Sequence, residues 1–138
     1  MTQSFRILSI FILTLFALPS WAEDEESSTV PQAIYYAFNE PFTINFLNQS
    51  NKKARYLQIK VTLKGIDQPS IDAAEQNLPM LQDALLDLFS DQSHEQVNSI
   101  EGRKALQQNT LETVRSLLKE ETGNDAIDAV YFTSFILQ

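Results

Sequence analysis

The 138-residue chain has no cysteine, three glycines, one histidine and one tryptophan. Without cysteine there are no disulfides, no thiol nucleophile, no thiolate metal site and no lipid attached through an N-terminal Cys. No glycine-rich phosphate loop and no G-x-S-x-G nucleophile elbow occurs, and three glycines leave little room for either. Positive charge is also scarce, with 10 Lys and Arg against 18 Asp and Glu and a net charge of −8. That balance argues against a nucleic-acid partner, because phosphate neutralisation needs clustered Lys and Arg. The four basic residues between Lys52 and Lys60 do not reverse it.

Long apolar runs are missing as well. The one uninterrupted stretch, Ile7 to Leu18, carries only Ser9 and Thr14 as breaks. As a helix its twelve residues would rise about 18 Å, against a hydrocarbon core of about 30 Å. Its surroundings fit a secretory signal peptide: Arg6 before it, the helix-breaking Pro19 after it, then Ser20-Trp21-Ala22 as a small-x-small cleavage site ahead of Glu23. The expected cut falls between Ala22 and Glu23, with an uncleaved signal anchor as the alternative. Cleavage would remove Arg6 and take the charge from −8 to −9, all 18 acidic residues lying beyond Ala22. Export without disulfides is consistent with a bacterial periplasm.

Residues 23–33, EDEESSTVPQA, are charged and poor in apolar side chains, and read as a short flexible acidic lead. The remaining 34–138 is one domain's worth of chain. In IYYAFNEPFTINFL, Phe42, Ile44 and Phe46 alternate with Thr43 and Asn45, the period of a half-buried strand. Pro41 cannot donate to a ladder, so it marks an edge, a bulge or the junction of two short strands. After a loop at 48–51, Arg55 to Lys64 alternates strictly, with Leu57, Ile59, Val61 and Leu63 on one face. The two runs should pair as an antiparallel hairpin with one covered and one wet face.

Beyond a turn at 65–70 the period becomes helical. Leu78, Leu81, Leu85, Leu88 and Phe89 form one stripe, in which Pro79 either kinks the helix or starts a new one. A second helix is predicted over 100–121, with Ser99 as N-cap and Gly123 as stop. The closing AVYFTSFILQ is apolar on both faces, which predicts a strand buried between other elements. The expected fold class is α+β: a small antiparallel sheet, hairpin plus C-terminal strand, packed against two helices.

His94 lies in the polar stretch SDQSHEQ with only Asp91 and Glu95 beside it, and reads as a solvated loop histidine. No spacing resembles a calcium loop or a zinc site, so no metal and no cofactor are expected. Asp83, Asp87 and Asp91 recur at four-residue steps and form a row on one helix face, without an interleaved lysine. Such a row is either a solvated face or a docking surface for something positive. Lys60 and Lys64, beside Lys52 and Lys53, would supply that on the wet sheet face, and repeated head-to-tail joining closes a ring if the rotation allows.

Several short stretches occur in a telling order: Glu40-Pro41-Phe42, Arg55-Tyr56-Leu57, Pro79-x-Leu81-x-Asp83-Ala84-Leu85, Glu101-Gly102-Arg103-Lys104 and the terminal VYFTSFILQ. Together they resemble the flagellar basal-body-associated FliL family over residues 34–138. The resemblance implies a periplasmic, stomatin/prohibitin-like domain at the inner membrane and basal body. It further implies oligomerisation, binding of flagellar stator units and basal-body proteins, and support of swimming or swarming, with no enzyme activity and no cofactor. Members of that family are usually held by a transmembrane helix, whereas residues 1–22 look removable; a cleaved form would reach the membrane through partners. The alternative function is a periplasmic module that encloses a small apolar ligand.

Overall fold

The computed structural model describes residues 32–46 and 55–138. The cleavage site at Ala22 and Glu23, the acidic lead up to residue 31, the loop at 48–51, and Lys52 and Lys53 lie outside the described residues.

The element order is β1 (Ile34–Ala37), β2 (Phe42–Asn45), β3 (Tyr56–Gly65), α1 (Gln68–Gln76), α2 (Leu78–Ser90), α3 (His94–Asn98), α4 (Ile100–Thr122) and β4 (Ile127–Leu137). The α+β class holds; among the described residues there are four strands where three were expected and four helices where two were expected. The central strand is β3, whose Leu57, Ile59, Val61 and Leu63 are fully buried under the helices. Its alternation is the strongest strand signal in the sequence, and the strand it makes carries the sheet.

Pro41 separates two short strands rather than bulging one. Both pair antiparallel with β3, end to end on the same side: Ile34 faces Gly65 and Ala37 faces Thr62, while Phe42 faces Ile59 and Asn45 faces Tyr56. On the other side β3 pairs with β4, from Leu57 opposite Leu137 to Gly65 opposite Ile127. The expectation that the last strand is buried between other elements is therefore corrected. Among the described residues β4 pairs with β3 alone and forms one edge of the sheet. The register shifts between Lys60 and Val61 and between Lys64 and Gly65, which leaves Thr133 and Asp128 without partners across the ladder. Each such bulge moves the side-chain alternation by one residue, so Ile127, Val130, Phe132, Phe135 and Leu137 all reach the core side.

The predicted turn at 65–70 is shorter than expected because a helix starts inside it. Asp67 is the N-cap of α1, its side chain accepting the Ser70 backbone N–H at 2.9 Å, and Pro69 lies in the first turn, where a missing N–H is harmless. Those hydrogen bonds, first the Ser70 hydroxyl and then its N–H, hold the Asp67 carboxyl below its ordinary range. Pro79 likewise sits in the first turn of α2. It starts a new helix rather than kinking a long one.

Ser99 joins α3 to α4. Its hydroxyl accepts the Gly102 N–H at 2.9 Å and donates to the Gln96 carbonyl at 2.9 Å, capping one helix and closing the other. Helix α4 ends at Gly123, whose φ of 73° is the left-handed conformation that glycine adopts without steric penalty. Buried Leu81, Leu85 and Phe89 of α2 and Leu106, Val114 and Leu118 of α4 cover the sheet. The hydroxyl of fully buried Thr110 is satisfied by the Leu106 carbonyl at 2.7 Å.

Candidate functional site: two charged faces and an open sheet

Because Leu81, Leu85 and Phe89 point into the core, the residues two positions on from each of them point away from it. Asp83, Asp87 and Asp91 are all exposed on that outer side, and none makes a salt bridge among the described residues. Eight residues of helix spread the row over about 12 Å. Asp87 and Asp91 sit at the C-terminal end of α2, where the helix dipole is itself negative and disfavours carboxylates by a few tenths of a kcal/mol or more. Local stability therefore does not account for the row.

Beside it runs an open groove of about 370 Å³ with Pro41, Phe42, Pro79 and Leu86 on its floor and Glu40 and Asp83 on its rim. Leu86 is 43% exposed there. This side of the molecule is acidic with an apolar seam.

The sheet face turned away from the helices carries the other charge. Lys60 is exposed and makes no salt bridge among the described residues. Lys64 lies on the same face, four residues on and about 13 Å away. It pairs with bulged Asp128, first by a side-chain hydrogen bond and then by charge attraction. The pair raises the Lys64 pKa above, and lowers the Asp128 pKa below, their ordinary values. Around the lysines stand Tyr35, 57% exposed, and Tyr131, 40% exposed, with ring centroids 6.3 Å apart, and Ile136. Thr62 is held between them, its hydroxyl 3.5 Å from that of Thr133.

The structure thus places the five predicted surface residues on two opposite sides: the aspartate row on the outside of the helix layer and Lys60 with Lys64 on the bare sheet. Lys64 is partly committed to its own chain and Lys60 is not.

His94 is corrected. It is half-buried at the first position of α3, its Nδ1 3.3 Å from an Arg55 guanidinium nitrogen and its ring edge-on to Phe46 at 5.9 Å between centroids. Sequence distance hid this, since Arg55 is 39 residues away. Both contacts tie the start of α3 to the residues that flank β2 and β3, so the geometry describes a structural contact. Among the described residues no three His, Asp or Glu side chains are arranged to hold a metal ion, and no helix is long and apolar enough to cross a membrane.

The residues missed by sequence reasoning lie along the outer edge of β4. There Gln107 donates to the Val130 carbonyl at 2.5 Å and Arg115 to the Ile127 carbonyl at 2.7 Å, so α4 side chains satisfy part of the edge. Their spacing along α4, with Ile100, Arg103, Lys104 and Leu111 in the same stripe, was the available signal.

Fold and surfaces together define a small α+β module with helices on one face of its sheet and charged and aromatic side chains on the other. The chain belongs to the family described as flagellar basal body-associated protein FliL, whose family model matches residues 35–138, from the second residue of β1 to the end. It is also 26% identical over 105 residues to the "Flagellar protein FliL" of Aquifex aeolicus (strain VF5), an alignment that covers 76% of this chain. The chain spans 62% of the length of that relative.

Proposed function

We propose that this protein is a non-enzymatic component associated with the flagellar basal body, placed in the periplasm at the inner membrane, which self-associates and contacts stator units to support rotation. The observation that carries the reading is the family match over residues 35–138. The surfaces add a way for it to work. The aspartate row spans about 12 Å and the Lys60–Lys64 spacing is about 13 Å, so the two faces of successive copies are matched in length and opposite in sign. Because they lie on opposite sides of one domain, the contact is head-to-tail, the kind that closes into a ring when the rotation permits. Two lysines facing three aspartates steer and orient association more than they tighten it.

The test is the charge reversal Asp87→Lys, which sits mid-row, is exposed and lies off the buried face of α2. Its expected outcome is a shift of the chain to smaller assemblies in light scattering, with the parent showing the same shift as salt rises past the range where charges at about 10 Å are screened. An assembly distribution unchanged by the substitution, and unchanged by salt, overturns the contact.

A further inference from the structure

The longest strand among the described residues is also an edge. Over its 11 residues β4 pairs only with β3 among the described residues, and α4 side chains reach its outer carbonyls only at Ile127, Asp128 and Val130. From Tyr131 to Leu137 the outer edge has no such cover. A long uncovered edge is a template for another strand, and natural proteins usually blunt or cover it. The other side of the sheet is managed differently: β1 and β2 have 4 residues each, with Pro41 between them.

Two adjoining grooves of about 260 Å³ each run between this edge and α4, sharing Lys104 and Gln107. The floor is apolar, formed by Phe132 and Phe135, with Ile100 at the lip and 65% exposed. The wall is basic. Arg103 is fixed over the Phe135 ring, 5.2 Å from its centroid, by hydrogen bonds to the Val97 and Asn98 carbonyls, and Lys104 beside it is exposed. Neither makes a salt bridge among the described residues, and no carboxylate lines either groove. In a chain with 18 acidic residues against 10 basic ones, an acid-free basic groove is a local exception.

We propose that this groove receives the acidic lead of a second copy of the chain, residues 23–30, laid extended along β4. The carboxylates of Glu23 to Glu26 meet Arg103 and Lys104, and the lead backbone pairs with the open edge, as in β-strand addition. The lengths agree: eight extended residues span about 26 Å, and Tyr131 to Leu137 about 23 Å. Pro31 then ends the pairing because it has no N–H to give. Small Ser27, Ser28 and Thr29 pass over the aromatic floor without crowding it.

A second copy is favoured over the chain's own lead by where the lead attaches. It runs into β1, across β3 from β4, and Ala33 sits at the Gly65–Asp128 end of the sheet. From there the chain's own lead must cross two inter-strand spacings, about 10 Å, and pass the part of the edge already held by Arg115 and Gln107. Too few residues would remain to follow the open part. The contact uses neither the aspartate row nor Lys60, so it stands or falls independently of the head-to-tail reading.

The chain contains no cysteine, so introduced thiols report without background. Purified full-length copies carrying Ser27→Cys and an affinity tag are mixed with untagged copies carrying Ile100→Cys, and a short bismaleimide is added. A parallel mixture uses Thr43→Cys, exposed on the bare sheet face, as the acceptor. The expected result is a cross-linked pair with Ile100→Cys at several times the yield obtained with Thr43→Cys. That yield should fall to the Thr43→Cys level when the acceptor also carries Lys104→Glu, and should persist when both copies carry Asp87→Lys. Equal yields from the two acceptors, or indifference to Lys104→Glu, overturns the proposal.

Discussion

Phe89→Ala should lower the stability of the domain by about 3–5 kcal/mol, the range for removing a fully buried phenylalanine. Phe89 is completely buried and meets two rings edge-on, Phe42 of β2 at 5.1 Å and Phe132 of β4 at 6.0 Å between centroids. It therefore joins strands on opposite sides of β3 through a single side chain of α2. Edge-to-face pairs contribute about 0.5–1.5 kcal/mol beyond the area they bury, and both would go together. Against a total stability of about 5–15 kcal/mol, the loss is a large fraction of the whole. Urea unfolding followed by circular dichroism should show the midpoint falling with the slope unchanged, and the melting temperature dropping by roughly 10–20 °C. A loss below about 1 kcal/mol would mean that the aromatic chain across the sheet is not what holds the layers together.

Gly102→Ala should also destabilise, although alanine is the better helix former by about 1 kcal/mol. The reason is contact rather than propensity. A Cβ at position 102 would lie 1.9 Å from the Gln96 carbonyl oxygen and 2.8 Å from the Ser99 hydroxyl. The Gln96 carbonyl cannot easily retreat, because it accepts from the Ser99 hydroxyl and α3 is pinned by its Ser93–Gln96 capping box and by fully buried Val97. Either the α3–α4 junction opens or the helices shift, and overpacking of that kind costs about 1–3 kcal/mol. The same urea measurement gives the sign. A stabilised Gly102→Ala chain would show that the junction yields freely.

These two residues also show what could be read from the sequence. Phe89 belongs to a stripe at helical spacing, and its burial follows from that spacing alone. Gly102 was visible only as part of Glu101-Gly102-Arg103-Lys104, and its physical role needed the meeting of two helices. The period-2 run at Leu57 to Leu63 gave β3 and its buried face correctly, because burial on one side of a sheet leaves that alternation in the sequence. The last strand was harder to read. Its core residues are spaced three, two, three and two apart because of bulges opposite the Lys60–Val61 and Lys64–Gly65 steps. A sequence with slipped parity looks apolar on both faces, which made an edge strand read as a buried one.

The surfaces divide in the same way. The aspartate row was legible, since four-residue steps define a helix face without any structure. The pairing of Lys64 with Asp128 across 64 residues was not, nor was the Arg55–His94 contact. The basic groove along β4 escaped notice because its two walls come from Ile100 to Leu111 and from Ala129 to Phe135, and neither segment is distinctive alone. Charge sums over the whole chain hide such a place. The short α1 and α3 were missed because nine and five residues are too few for a helical period to show.

The role proposed for this FliL-family domain is to act in the motor through its charged surfaces. The most direct test is rotation of tethered cells or beads under increasing viscous load, in a strain lacking the gene and in the same strain supplied with either the parent chain or Asp87→Lys at equal abundance. The account predicts that the deletion strain loses torque at high load, that the parent chain restores it and that Asp87→Lys does not. A deletion strain that turns under high load as the parent does would contradict it.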